Sequence, residues 1–370
     1  MVPLYRCTAV AAALAALSAP LYAQNVTLYG LMDVGLERIS NTAPNGASLV
    51  RMPSITGTLP SRWGVRGSEE LSPGLKAVFT LESGFAPDAG TSGQGGRLFG
   101  RQAFVGLQGD WGTATFGRQY TMLFWSFLDA DPIGPQTMGL GSLDSYIPNT
   151  RADNSVAWRG TFNGVTAGAH YSLGRDAANP TPNNPAGTNC GGEVVGDAQA
   201  CRGWSAMLKY DSQPWGAAAA VDVLRGGAGS WAALGLTSSA LTDRRTLLNG
   251  YARFAGIKLG AGVLLRDNDG STTTPRSRLV FVGASWPVTP ALTLDAEWSQ
   301  LKFRNSPNGA KMLVARASYA LSKRTAVYTS IGRVDNDGTS NYAVSGGAAG
   351  GNPVAGAGQN GVLLGVRHAF

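Results

Sequence analysis

Residues 291–301 read ALTLDAEWSQL. Leu292, Leu294, Ala296 and Trp298 share one face of an extended chain, and Thr293, Asp295, Glu297 and Ser299 share the other. Successive side chains of a strand point to opposite sides, so the stretch is a strand with one apolar and one polar face. The same period recurs upstream. In IKLGAGVLLR (257–266), Ile257, Leu259, Ala261, Val263 and Leu265 oppose Lys258, Gly260, Gly262 and Arg266. In WSAMLKYD (204–211), Trp204, Ala206, Leu208 and Tyr210 oppose Ser205, Lys209 and Asp211, with Met207 the one apolar residue on the polar side.

Working outward, about sixteen such segments emerge: 26–38, 60–70, 74–85, 97–109, 112–120, 153–162, 165–174, 203–211, 215–225, 246–255, 257–268, 277–286, 291–304, 311–322, 325–335 and 360–370. Their connections alternate in length. Leu71-Ser72-Pro73, Asp110-Trp111, Asn163-Gly164 and Lys323-Arg324 are short; Ser40 to Leu59, Thr121 to Ala152, Arg175 to Arg202 and Asn336 to Gln359 are long. Segments of roughly ten residues with short turns on one side and long loops on the other describe an all-β, transmembrane, antiparallel up-and-down β-barrel of 16 strands. A soluble barrel or a secreted sandwich also alternates, so periodicity alone leaves the direction of each face open. The number of strands decides it: sixteen enclose a lumen too wide to fill with side chains, which makes the polar face the wet interior. Trp63, Tyr171, Trp204, Tyr210, Trp215, Trp286 and Phe370 lie near segment ends, where interfacial aromatic girdles belong.

Composition agrees. Only 14% of the 370 residues are charged and 51 are glycine, yet mean hydropathy is near zero. No run approaches the eighteen or so apolar residues of a membrane helix. Residues 1–23 (MVPLYRCTAVAAALAALSAPLYA) carry a positive n-region at Arg6, a small apolar stretch from Thr8 to Ala19 and a small residue before the expected cleavage. They read as a secretory signal peptide, which leaves residues 24–370 as one barrel domain. The net charge of +7 comes from basic residues scattered singly or in pairs, which argues against a nucleic-acid arm. Cys7 departs with the leader. Cys190 and Cys201, an even pair in an exported chain, suggest a local disulfide, with two free thiols as the alternative. With only His170 and His368 in the chain, and neither near the cysteines, no metal site is expected; no cofactor is expected either. Neither histidine sits in a nucleophile motif, so the pattern holds no catalytic residue and the chain reads as no enzyme.

Five stretches carry a family likeness: VTLYGLMDVGL (26–36), SRWGVRGSEELSPGLKAVFTLESGF (61–85), RQAFVGLQGDWGTATFGRQ (101–119), LSKRTAVY (321–328) and GVRHAF (365–370). Together they resemble the general porins of β-proteobacterial outer membranes, along nearly the whole chain after the leader. The resemblance implies a homotrimer in the outer membrane of a Gram-negative bacterium, in contact with outer-membrane lipid and lipopolysaccharide and inserted by the outer-membrane assembly machinery. It implies a passive channel for small anionic or neutral hydrophilic solutes with a mild anion preference; a channel specific for phosphate or organic acids is the alternative. It also implies an inward-folded constriction loop over about 121–152, holding Asp129, Asp131 and Asp144, with DPIG (131–134) as its tip turn.

On the wall facing that loop, the resemblance places a basic cluster at Arg62, Arg101 and Arg151, with Arg118 nearby. Parity supports these unevenly. Arg62 and Arg66 oppose Trp63 and Val65, so they face water. Arg101 shares parity with Ala103, Val105 and Leu107, so either it lies above the lipid band or a bulge near Gly100 resets the register. Arg118 has the same difficulty with Phe116. Lumen-facing acids at Asp33, Glu37, Glu82, Asp295 and Glu297 make the pore mixed in charge. At the other end, closure of the barrel requires Gly361 to Phe370 to pair with Val26 to Arg38. The resemblance gives Phe370 a second role, as the aromatic signal that assembly machinery reads.

Overall fold

The computed structural model describes residues 25–42, 45–55, 57–134, 136–178, 187–230 and 235–370. The leader expected over residues 1–23 lies outside them.

Among the described residues eighteen strands form, in chain order: β1 (Asn25–Ile39), β2 (Leu49–Arg51), β3 (Arg62–Ser72), β4 (Leu75–Ala86), β5 (Thr91–Ser92), β6 (Gln102–Gly109), β7 (Gly112–Tyr120), β8 (Arg151–Phe162), β9 (Val165–Gly174), β10 (Gly203–Asp211), β11 (Trp215–Arg225), β12 (Thr242–Phe254), β13 (Ile257–Asn268), β14 (Arg276–Pro287), β15 (Leu292–Phe303), β16 (Gly309–Ala320), β17 (Thr325–Asp337) and β18 (Gln359–Ala369). β2 and β5 are short additions; the other sixteen pair antiparallel with their neighbours in a closed ring. The seam is made by β1, which pairs β18 from Leu31↔Ala369 to Ile39↔Gly361. On its other edge β1 pairs β3 from Asn25↔Ser68 to Leu31↔Arg62, and β2 takes over at Glu37↔Arg51. A closed ladder satisfies each strand's backbone groups within the sheet, the condition for crossing hydrocarbon with strands.

The alternation resolves as the sequence predicts. On β15, Leu294, Ala296 and Trp298 are exposed while Asp295, Glu297 and Ser299 are buried. On β1, Leu28, Met32 and Leu36 point outward and Asp33 and Glu37 inward. This inverts the arrangement of a water-soluble protein, where exposed apolar residues of this size do not form a continuous band. Tyr210 and Trp215 meet across the β10–β11 turn with ring centroids 5.0 Å apart, and both are exposed on the turn-side rim.

One expectation about the interior needs correction. The lumen is not polar throughout. Leu247, Leu264, Leu279, Phe281, Leu301, Met312 and Leu363 point inward from β12–β18 and are buried. They pack against Leu123, Phe127, Ile133, Met138 and Leu140 of the segment between β7 and β8. That segment builds an apolar core along the β12–β18 side of the lumen, each fully buried large side chain contributing about 1.5–3 kcal/mol.

Candidate functional site: the constriction

β7 ends at Tyr120 and β8 starts at Arg151, so the inserted loop runs from Thr121 to Thr150, two residues shorter than the expected 121–152. It follows the inner wall instead of extending outward. A short helix, Met122–Phe127, packs on β10, β11 and β12. Thr121 donates to the Asp222 carboxylate at 2.8 Å, and Ser205 Oγ accepts the Met122 N–H at 2.9 Å. Farther on, the Ala130 carbonyl lies directly over Gly260 of β13, where a Cβ would sit 1.7 Å from that oxygen. Gly260 is therefore glycine for close approach, not for turn geometry. Arg316 of β16 donates to the carbonyls of Ile133 at 2.8 Å and Pro132 at 3.3 Å.

The three loop acids fasten the loop to this wall. Asp129 forms an ion pair with Lys209 of β10. Asp131 accepts the Gly134 N–H at 2.7 Å, closing the DPIG turn, and lies against Glu297. Burial raises the Asp131 carboxyl above the usual carboxylate range, and the hydrogen bonds and Arg316 offset this only in part. Asp144 is half-buried, and desolvation alone would raise it; the Arg245 guanidinium, 3.0 Å away, and Arg266 outweigh that and hold it below its usual range. Tyr146 donates to Asp222 at 2.5 Å, and burial followed by that carboxylate's charge pushes its hydroxyl well up.

Across from the loop, three of the four expected arginines meet. Glu82 of β4 receives Arg101 Nε at 2.7 Å, Arg62 Nε lies at 3.6 Å, and the Tyr29 hydroxyl donates at 3.0 Å. The Tyr120 hydroxyl accepts from Arg101 at 2.6 Å and from Arg151 at 2.8 Å. Arg62 is half-buried, whereas Arg101 and Arg151 are only 5% and 2% exposed. Arg118 does not join them. Its guanidinium donates to the Gly100 carbonyl and to Asp153, each at 2.6 Å, in a separate network with Arg97 and Asp176.

The parity conflicts have physical causes. β6 begins at Gln102, not at 97, so Arg101 lies just outside the alternating ladder, held by its N–H on the Glu82 carbonyl. For Arg118, the β7–β8 register shifts between Gly117↔Ser155 and Gln119↔Ala152. Arg118 occupies that bulge, and Gly117 at φ +128° supplies the turn of the chain.

An open cavity of about 870 Å³ lies against this wall, and its charged lining residues are Arg62, Arg66, Arg159 and Glu82. Arg159 was not singled out from sequence, although it shares inward parity with Ala157; its guanidinium stacks 3.9 Å over the Trp125 ring of the loop. Elsewhere on the rim, Cys190 and Cys201 are joined in a disulfide with Cα atoms 5.3 Å apart.

A closed barrel that is apolar outside, narrowed by its own loop and left with an open gap lined by charged side chains is a membrane channel. The chain matches the family model of Gram-negative porins over residues 9–339 and belongs to that family. It is a passive diffusion channel of the Gram-negative outer membrane. An outer membrane porin of Bordetella pertussis is 30% identical over 349 residues, covering 82% of this chain and 87% of the relative. Outer membrane porin protein 32 of Delftia acidovorans is 28% identical over 377 residues, covering 97% and 98%. Among solved structures, an anion-selective porin from Comamonas acidovorans superposes with a TM-score of 0.74 at 23% identity, covering 94% of this chain and 100% of that one.

Proposed function

We propose that the channel passes small hydrophilic solutes with a mild preference for anions, set by Arg62, Arg66 and Arg159. The observation that carries this is the charge of the open cavity: three guanidiniums against one carboxylate, and that carboxylate is already engaged by the buried Arg101. Fixed charges lining a constriction bias which ions enter. Arg101 and Arg151 act behind the lining: through Glu82 and Tyr120 they keep the wall net positive without touching the solute path. The loop acids are spent on the opposite wall, so they do not cancel this field. The chain then needs no catalytic group.

We read the assembly as a homotrimer built on the seam side of the barrel. An apolar groove of about 650 Å³ crosses the outer face there, between Leu36, Met52, Leu292, Tyr319 and Leu364.

The test is a planar bilayer under a salt gradient. The wild-type reversal potential should have the anion sign, and Arg62→Ala, Arg66→Ala and Arg159→Ala should each move it toward the cation side. If the triple variant keeps the wild-type potential, the assignment is wrong. Native mass of the same preparation reads the trimer.

A further inference from the structure

The constriction loop is held from two sides, and one of them is not the barrel wall. The connection between β17 and β18, residues 338–358, turns inward at its middle, where Ala343, Val344 and Ser345 are buried. The wall is shaped to receive it. Gly332 of β17 pairs with Gly361 of β18, on the inward parity of both strands. A Cβ on Gly332 would lie 2.9 Å from a Val344 methyl; one on Gly361 would lie 2.7 Å from Val344 and 2.7 Å from Met138 of the constriction loop. Two glycines side by side thus leave a notch that one side chain from each loop fills.

Hydrogen bonds tie the two loops to each other. Ser142 Oγ donates to the Val344 carbonyl and accepts the N–H groups of Gly346 and Met138, each at 3.2 Å. Gln359, fully buried at the start of β18, shapes the inward turn: its side-chain oxygen accepts the Val344 N–H and its amide nitrogen donates to the Gly351 carbonyl, both at 2.8 Å. The outer post is β2. Arg51 pairs with Glu37 of β1 and donates to the carbonyls of Ser345, Ala348 and Ala349, and the Ile55 N–H reaches the Gly347 carbonyl at 2.9 Å.

We propose that residues 338–358 form a strap that sets the size limit of the channel from its outer face, by fixing how far the second half of the constriction loop stands from the arginine wall. The ends of that loop have their own fastenings, at the helix Met122–Phe127 and at Asp144 and Tyr146. The stretch between is placed by Met138, whose apolar contact is non-directional, and by Ser142, whose one hydroxyl proton goes to the strap. The strap acts on width and not on charge: GTSNYAVSGGAAGGNPVAGAG (338–358) holds no Asp, Glu, Lys, Arg or His. The guanidiniums that line the open cavity lie on β3 and β8, away from the notch on β17 and β18.

The experiment reconstitutes folded, heat-modifiable protein for liposome swelling in neutral mono-, di- and trisaccharides and for single-channel recording. Ser142→Ala/Val344→Ala should raise trisaccharide entry relative to monosaccharide at least threefold and add transitions between conductance levels. The reversal potential in a salt gradient should stay at the wild-type value, which keeps this test apart from the arginine assignment. A Cβ on Gly346 would lie 3.8 Å from the Ser142 Cα, close enough for a disulfide. Ser142→Cys/Gly346→Cys should therefore keep the wild-type size limit when oxidised and lose it on reduction, whereas reduced wild type, with Cys190 and Cys201 opened, should keep it. If the alanine pair does not fold, the cysteine pair carries the test alone. A size limit unmoved in these variants, an equal change in reduced wild type, or a reversal potential that shifts together with the size limit overturns the proposal.

Discussion

At Tyr120 a single hydroxyl takes hydrogen bonds from two buried guanidiniums, Arg101 and Arg151. Leaving a buried charged donor without its acceptor costs about 1–3 kcal/mol or more. Tyr120→Phe should lower the unfolding free energy in urea by about that amount; a change indistinguishable from zero would show that water replaces the hydroxyl. The residue scale is also where sequence reading was least even. Arg62 was legible from parity alone. Arg101 and Arg151 came from the family likeness, and Arg118 was grouped with them although a bulge turns it toward Asp153. Counting by twos assumes an unbroken ladder, and a bulge is invisible to it. Arg159 needed only the count, yet nothing in the sequence set it apart from other lumen-facing charges.

The sixteen barrel strands were legible because each repeats one physical demand, apolar outside and polar inside, over about ten residues. Their ends moved by a few positions, most at β6, where 97–101 is irregular, and at β12, which starts at Thr242 rather than 246. The path of the inserted loop was not legible, since it has no period and its partners are distant in sequence. The trace it left was a set of inward leucines and Phe281 that blurred the alternation on β12–β18. Its fastenings differ in pH response. Asp144 has a lowered pKa, so its contribution is present above the ordinary carboxylate value of about 3.9 and is lost only as pH falls through the still lower folded value. Asp131 has a raised pKa, so its contribution is complete at low pH and is lost as pH rises through the elevated value. Raising the pH should therefore make closures in single-channel recordings more frequent as the loop tip loosens. Asp131→Asn should flatten that trend, whereas Asp144→Asn should raise closures across the whole range. A trend that survives Asp131→Asn would assign it elsewhere.

For the whole molecule the decisive event is closure of the ring. Gly30 N–H donates to the Phe370 carbonyl and Phe370 N–H to the Gly30 carbonyl, both at 3.0 Å, and the Phe370 ring lies over Gly30. Above them nine residue pairs, from Leu31↔Ala369 to Ile39↔Gly361, complete the seam. Removing Phe370 deletes two backbone hydrogen bonds and one girdle ring at the turn-side rim, but it leaves those nine pairs, the constriction loop and the arginine wall as they are. An unsealed strand end in hydrocarbon is costly, and the cost falls while the ring is still open, before the rest of the seam compensates. We therefore expect deletion of Phe370 to act on assembly rather than on transport: the yield of folded, heat-modifiable protein in the membrane should fall several-fold. Channels that do close should conduct and select as the full-length chain does. Normal membrane yield, or altered conductance in the assembled fraction, would show that Phe370 serves the finished pore and not its closure.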